Sequence, residues 1–221
     1  MTDVGASWFS SPGFRNSRGP LFSGGGPVSD ALRRLESTLT SSHIPHIFVG
    51  RVAANAYGHA RMTDDLDVCV RGADLPRCRQ ALVSIGCVPI SGRYGRFLDP
   101  QTGVTVDFIV SGKAVGPRPE QRTITFPDSA EAEPHAGIPV PSLARLIELK
   151  LALWRFKDWG DVVELIRELD LSPSFAEQLV PSVRPLYADC CEHRLEEDRC
   201  DREMDSRDRA NRHRTRSRGS Q

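Results

Sequence analysis

The hydrophobic period of this chain changes once, at Pro139-Val140-Pro141, and this change limits the possible folds more than any other feature. Before it, short β-branched runs alternate with helical segments. After it, apolar residues recur only at helical spacing. Strands mixed with helices early and helices alone late are typical of α+β proteins. We therefore predict a mixed β-sheet in the first part of the chain and a helical subdomain appended to it.

The predicted strands are short runs rich in Val, Ile and Phe, bounded by Gly, Pro or polar residues. Helices are predicted where apolar residues recur every three or four positions behind a residue that can cap the first turn. The predicted strands are 44–49, 66–70, 87–90, 96–98, 104–110 and 123–126. The predicted helices are one from residue 29 or 30, then 52–57, 74–85, 142–154 and 157–169, a further one from 172 or 174, and 183–194.

The two ends of the chain differ in composition from its middle. Residues 1–28 are rich in Gly, Pro and Ser, and residues 196–221 are nearly all charged. Neither segment has enough apolar side chains to offset the entropy of ordering it. We predict disordered tails at 1–28 and 196–221, an α/β core over 29–140 and a helical subdomain over 141–195. The start of the charged segment could instead prolong a solvated helix, and its Arg-rich end could bind RNA phosphates or only aid solubility.

Charge and cysteine content narrow the functional classes. The 29 Lys and Arg balance the 29 Asp and Glu, so no global field draws the chain to nucleic acid or to an anionic membrane. No apolar run reaches the roughly 20 residues of a membrane span, and residues 1–29 do not resemble a signal peptide. The 6 Cys form no C-x-x-C pair, so free thiols are expected. We therefore expect a cytoplasmic protein without a membrane partner.

Three aspartates form the one constellation that rises above background. Asp65 and Asp67 begin a predicted strand as D-x-D, and the strand period of two places both carboxylates on one face. Asp107 lies inside the most β-branched strand, where a charge is costly unless it is paired or bound to a metal. If the two strands are neighbours, the carboxylates converge into the oxygen cluster that Mg²⁺ prefers. A solvated strand end is the simpler interpretation of each aspartate by itself.

The surroundings of these aspartates resemble the nucleotidyltransferase superfamily, which has a polymerase-β-like fold. In that family a strand ends in Gly-Gly or Gly-Ser at the start of a helix, and an apolar-flanked D-x-D follows. Here Phe48-Val49-Gly50-Arg51 precedes Asp65-Leu66-Asp67. The match is most similar to the AbiEii-type toxin-like branch, whose Lys-rich helical stretch corresponds to Lys150 and residues 155–162. The resemblance covers about residues 44–168 and implies a nucleotidyltransferase core with a C-terminal helical subdomain.

The resemblance implies that the three aspartates are both the catalytic and the metal-binding residues. Asp65 and Asp67 would ligate Mg²⁺ that holds a nucleoside triphosphate, and Asp107 would be the third ligand, near the acceptor hydroxyl. Gly50 would let the phosphates approach the backbone. The implied enzyme moves a nucleoside monophosphate from an NTP to a hydroxyl on RNA, protein or a small molecule. The branch also implies an antitoxin-like protein partner.

One position departs from the family pattern. Arg51 stands where the family has a small residue, and its guanidinium could block the triphosphate or bind phosphate itself. The alternative function is therefore a non-catalytic binding module with the same fold. Lys150 and Lys157 are the other candidate nucleotide-binding residues, although an ordinary helix-face lysine is the simpler interpretation of Lys150. Asp158 and Asp161 are expected to orient Lys157 and the helix pair.

Other side chains are assigned lesser roles. His46 is predicted to lie in a strand near the surface, Thr63 to fix the turn before the D-x-D strand, and Arg61 to pair with a carboxylate. Trp154 and Trp159 are expected to pack against the core, with base stacking as the less favoured interpretation. Four arginines around the third-aspartate strand could form a basic rim for RNA or be scattered surface charge: Arg93, Arg96, Arg118 and Arg122.

Overall fold

A five-stranded mixed sheet with the order β1-β2-β5-β4-β3 lies at the centre of the protein, as the computed structural model shows. The structure describes residues 25–59, 62–119, 122–135 and 137–218, so most of the predicted tail at 1–28 lies outside it. Strands β2 and β5 pair in parallel, whereas the other pairings of this sheet are antiparallel. The strands are β1 (His46–Phe48), β2 (Asp65–Val70), β3 (Val88–Pro89), β4 (Arg96–Leu98) and β5 (Thr105–Val110).

The helices pack around this sheet and, after residue 141, form the C-terminal region alone, which confirms the α+β prediction. The described helices are α1 (Pro27–Ser41), α2 (Gly50–Ala56), α3 (Leu75–Ser84), α4 (Leu143–Ala152), α5 (Phe156–Glu168) and α6 (Arg184–Arg218). Ser142 caps α4 as its pattern predicts, because its hydroxyl accepts a hydrogen bond from the Arg145 N–H. None of the described helices is long and apolar enough to span a membrane.

The core lies against one face of the paired strands β2 and β5. Leu66 and Val68 of β2 and Val106 and Phe108 of β5 are all buried. Strand alternation then places the intervening residues on the opposite face, toward α4 and α5. The core therefore holds β2 and β5 in register while their other face remains available for polar side chains.

Two segments between β5 and α4 differ from the prediction. The predicted strand at 123–126 is reduced to an isolated bridge between Ala114 and Thr125. A hairpin of β6 (Glu133–His135) and β7 (Ile138–Val140) follows instead. The Pro residues of this hairpin are typical of a loop in the sequence. A two-stranded sheet nevertheless tolerates Pro, because few of its N–H groups must pair.

The late chain departs from the prediction in two places. The helix expected from residue 172 or 174 is a 3₁₀ segment, Pro173–Gln178. Where a disordered tail at 196–221 was predicted, the structure continues α6 as far as Arg218. Arg167 of α5 holds this helix where it leaves the core, through Glu197 and Asp198. The structure therefore has the alternative arrangement, in which the charged segment prolongs a solvated helix.

His46 is also placed wrongly by the sequence, because it is buried rather than near the surface. All three residues of β1 are buried, so the strand does not alternate. The His46 Nδ1 lies 2.9 Å from the Ile44 carbonyl oxygen, and its ring meets Phe48 edge-on. Burial lowers the pKa of this imidazole, so it acts as a packed core residue.

Candidate active site

The parallel register of β2 and β5 brings the three aspartates to one face of the sheet. Asp67 is the register partner of Asp107, and Asp65 is the partner of Thr105. Paired residues of neighbouring strands point to the same side, and residues two apart on one strand do as well. The three carboxylates therefore share the face opposite the core, as the strand pattern predicts.

Gly50 begins α2 directly against Asp67. Its φ is +64°, and a Cβ at this position would overlap the Oδ2 atom of Asp67. The Val49 N–H donates to the Asp67 carbonyl oxygen at 3.0 Å, which fixes the strand end beside that residue. Glycine is required here for both the backbone conformation and the space that the carboxylate occupies.

Asp67 carries the strongest electrostatic perturbation of the three aspartates. Burial raises the pKa of its carboxyl to about 6, and the nearby Asp65 and Asp107 add to the shift, which Arg155 and Lys150 oppose. A crowded, half-desolvated carboxylate of this kind is stabilised by any bound cation. Asp67 is thus the side chain on this face that gains most from a metal ion.

Asp65 is oriented by the turn that precedes its strand. The Thr63 hydroxyl donates to Asp65 Oδ1 at 2.6 Å and to the Asp65 carbonyl oxygen at 3.1 Å. Thr63 therefore fixes this turn, as predicted from the sequence. Arg61, which was predicted to pair with a carboxylate, lies outside the described residues.

Asp107 shares the face but not the cavity next to it. Arg96 is its register partner on β4, and the two side chains form an ion pair of 3.3 Å. Burial raises the pKa of the Asp107 carboxyl, an effect that Asp65 increases and that Arg96 and Arg93 oppose. Arg96, which the sequence left between an RNA rim and scattered charge, is therefore the partner of the third aspartate.

The three carboxylates do not form a closed metal site. No group of three or more His, Cys, Asp or Glu side chains in the described ranges is placed to hold a metal ion. Asp65 and Asp67 still fit a hard cation, since both offer carboxylate oxygens beside an open cavity and Mg²⁺ completes its shell with water and phosphate oxygens. Asp107 could join them only by leaving Arg96.

A cavity of about 180 Å³ opens beside Asp65 and Asp67. Its walls come from β2, the start of α2, helix α4 and the turn into α5, with Ile109 and Phe126 closing one side. Four cationic residues line it: Arg51, Lys150, Arg155 and Lys157. Arg155 was not singled out from the sequence, and only its place at the start of α5, next to the cavity, reveals it.

Lys150 is buried at the base of this cavity within a charged cluster. It is 2% exposed, and its Nζ lies 2.7 Å from Asp161 Oδ2 and 3.9 Å from Asp158 Oδ1. The His59 Nε2 lies 3.4 Å from the other Asp161 oxygen. Asp158 and Asp161 were expected to orient Lys157 and the helix pair; they hold Lys150 and not Lys157, and this contact does join α4 to α5. Helix spacing explains this, because residues 158 and 161 share the buried face of α5.

The three other cations of the cavity are more accessible than Lys150, and Arg155 forms an ion pair with Asp158. Lys157 is exposed at the cavity mouth. The Arg51 Nη1 donates to the Met62 carbonyl oxygen at 3.1 Å, and no ion pair links Arg51 to Asp65 or Asp67 in the described structure. The guanidinium therefore rests against the cavity wall and does not occupy the place between the carboxylates.

Comparisons with known proteins do not assign a function to this chain, so a proposal must be argued from the residues of the site. No protein-family model matches the chain, and no curated protein matches it significantly. Among solved structures, the antibiotic-resistance factor ANT(2'')-Ia is 15% identical, with 82% of this chain and 96% of that one covered and a TM-score of 0.40. JHP933 from Helicobacter pylori is 14% identical, with 82% and 94% covered and a TM-score of 0.44.

Proposed function

We propose that this protein is a metal-dependent nucleotidyltransferase, which moves a nucleoside monophosphate from an NTP to an acceptor hydroxyl. The observation that carries the proposal is the β2–β5 register, which aligns Asp67 with Asp107, together with the position of Asp67 against Gly50. The resemblance of the sequence to the nucleotidyltransferase superfamily implies the same site residues. A lined cavity with four cations gives the triphosphate a place beside them.

Different residues of the chain have different roles in this reaction. Asp65 and Asp67 would hold Mg²⁺, which neutralises triphosphate charge when it is bound. Arg155 and Lys157 bind the phosphates from the opposite wall of the cavity. The acceptor oxygen forms a bond to the α-phosphorus, the bond from that phosphorus to the bridging oxygen breaks, and pyrophosphate leaves. Asp107, once released by Arg96, accepts the hydroxyl proton.

The proposal is tested by following the α-phosphate. The full chain is incubated with Mg²⁺ and each NTP labelled at that phosphate, together with total RNA or a cell lysate. We expect label in one acceptor fraction with wild type and none with Asp67→Asn. Equal labelling by both proteins, or labelling without a divalent cation, would contradict the assignment.

The proposal also includes the molecule that accepts the nucleoside monophosphate and a protein partner. The Arg-rich end of the chain supports an RNA acceptor, because Arg side chains neutralise phosphates. The resemblance to the AbiEii-type branch supports an antitoxin-like protein partner. Label that resists protease and is released by ribonuclease would identify RNA, whereas the reverse pattern would identify a protein hydroxyl.

A second candidate function is a non-catalytic module that binds nucleotides. Two observations favour this function. Arg51 lies where the family has a small residue, and Arg96 forms an ion pair with Asp107. The two candidates differ in one measurement. NTP binding that depends on Mg²⁺ but transfers no label to any acceptor would select the module.

Arg51→Ser tests which role Arg51 plays. Because the Arg51 guanidinium does not pair with Asp65 or Asp67, we expect this side chain to bind the phosphates of the nucleotide and not to obstruct their site. Loss of a charge-assisted hydrogen bond should then raise the Kd for Mg²⁺·NTP by about tenfold or more. Calorimetric titration measures this, with Arg33→Ser, an exposed arginine outside the cavity lining, as the control. Tighter binding by Arg51→Ser would show that Arg51 obstructs the site.

Gly50→Ala should disturb Asp67 as well as the backbone. The positive φ costs about 1 kcal/mol for alanine, and the new methyl group must also displace the Asp67 carboxylate. Gly58 is the matched control, because its φ is +103° and no atom lies within 4 Å of a Cβ there. Both variants should lose stability in thermal melts, but only Gly50→Ala should lose Mg²⁺-dependent nucleotide binding. Equal binding losses would contradict the role of Gly50 at the site.

A further inference from the structure

The size of the cavity requires the nucleoside to lie outside it. Sites that bury a drug-sized ligand have volumes of roughly 300–1,000 Å³, whereas this cavity has about 180 Å³. It can take a polyphosphate chain but not the base and ribose as well. If the proposed function holds, the nucleoside must therefore rest on a surface at the cavity rim.

Trp154, in the turn between α4 and α5, belongs to a stack of planar side chains. The Arg118 guanidinium carbon lies 3.6 Å from the centre of the Trp154 ring. Trp159 meets Trp154 edge-on, with ring centres 5.1 Å apart. Leu153 and Arg155, the chain neighbours of Trp154, both line the cavity. The stack is therefore adjacent to the place where the phosphates would bind.

The backbone at Trp154 is held in an unusual conformation. Its φ is +57°, a region that bulky side chains rarely adopt and that costs of order 1 kcal/mol or more. The α4–α5 turn could satisfy this conformation more easily with Gly or Asn. Trp at this position packs against Trp159 of α5 and presents its indole to Arg118.

Arg118 has the properties of a stacking platform. It is exposed, and among the described residues it forms no ion pair. Its guanidinium packs over the Trp154 ring, and the exposure of the residue leaves it accessible to a ligand. Guanidinium planes and aromatic rings both stack on nucleobases, whatever the base.

We propose that the base of the bound NTP stacks on the Arg118 guanidinium, which Trp154 supports from beneath. This inference rests on the proposed function and adds the element that distinguishes a nucleotide from a bare polyphosphate. Stacking of this kind tolerates every base, so it predicts weak discrimination among the four NTPs. Arg118 and Trp154 are thus binding residues for the nucleoside.

The test compares ATP with inorganic tripolyphosphate, each with Mg²⁺, in calorimetric titrations of the full chain. Arg118→Ala should raise the Kd for ATP by about fivefold or more and leave the Kd for tripolyphosphate unchanged. Arg118→Lys keeps the charge but loses the plane, so it should behave like Arg118→Ala for ATP. Arg79→Ala is the matched control, since Arg79 also lies over aromatic rings, those of Tyr94 and Phe97, but no chain neighbour of these three residues lines the cavity.

Each outcome decides one of the two proposals. If ATP and tripolyphosphate bind wild type but Arg118→Ala weakens neither, the base does not use this stack and the inference is overturned. If Arg118→Ala or Arg118→Lys weakens both ligands alike, Arg118 contacts phosphate and the stacking role is overturned. If neither ligand binds wild type, the proposed function fails and this inference falls with it. Quenching of Trp fluorescence by ATP but not by tripolyphosphate, lost in Trp154→Phe, would support the stack independently.

Discussion

Lys150→Met should lower the free energy of unfolding by about 3–5 kcal/mol, the range for removing one partner of a buried ion pair. Lys150 is the cation nearest to Asp161, and Asp158 lies 3.9 Å away on the same helix. Without it, the Asp161 carboxylate stays desolvated without its main counter-charge. For a chain of this size the melting temperature should fall by about 10 °C, as measured by circular dichroism or calorimetry.

Lys157→Met is the matched control for this variant. Lys157 lines the same cavity but is exposed, so its loss should change stability by less than about 0.5 kcal/mol. Adding Asp161→Asn to Lys150→Met removes the carboxylate charge that Lys150 balanced and should recover part of the loss. Equal stability of Lys150→Met and Lys157→Met, or no recovery in the double variant, would show that the buried cluster does not support the fold.

Asp67→Asn should make the metal-free protein more stable while it abolishes nucleotidyl transfer. The pKa of Asp67 is raised from 3.8 to about 6 in the folded protein. The folded state therefore binds more protons than the unfolded state between these values, so stability falls as pH rises from about 3.8 to about 6 and is level above that. At pH 8 the ionised carboxylate costs about 3 kcal/mol, which asparagine does not.

The measurement is denaturant unfolding of both proteins in EDTA from pH 4 to pH 8. The stability advantage of Asp67→Asn should be small at pH 4, grow as the pH rises to about 6, and stay level from there to pH 8. Asp64→Asn, an exposed neighbour, should differ from wild type by less than about 0.5 kcal/mol throughout. An Asp67→Asn protein that is less stable than wild type at pH 8 would show that the carboxylate is stabilised by the fold, contrary to this account. Retained label transfer would remove Asp67 from the proposed machinery.

The predictable part of the fold was the part with strong local periodicity. Helix α5 and strands β2 and β5 carry patterns of 3.6 or two over their length, and the structure places each within a few residues of its prediction. The segment 123–140 was harder, because a hairpin with Pro in both strands has no alternation to detect. The length of α6 was missed because its ion pairs with Arg167 are tertiary contacts.

The candidate site divides in the same way. The D-x-D spacing predicts a shared face for Asp65 and Asp67 from local geometry alone. The partner of Lys150 could not be predicted, because residues 150 and 161 lie on different helices and meet only when α4 packs on α5. Arg96 reaches Asp107 through strand pairing, and Arg118 reaches Trp154 across a loop. None of these pairs has a signal in sequence spacing.

The sequence by itself determined the α+β class and the carboxylate pair on β2, because strand period and residue chemistry are local properties. Tertiary structure decided which charges meet. It buried Lys150 between Asp158 and Asp161, assigned Arg96 to Asp107 and left Lys157 at the cavity mouth. The physical reason is that an ion pair depends on distance and desolvation, and both are set by how helices and strands pack, not by their order along the chain.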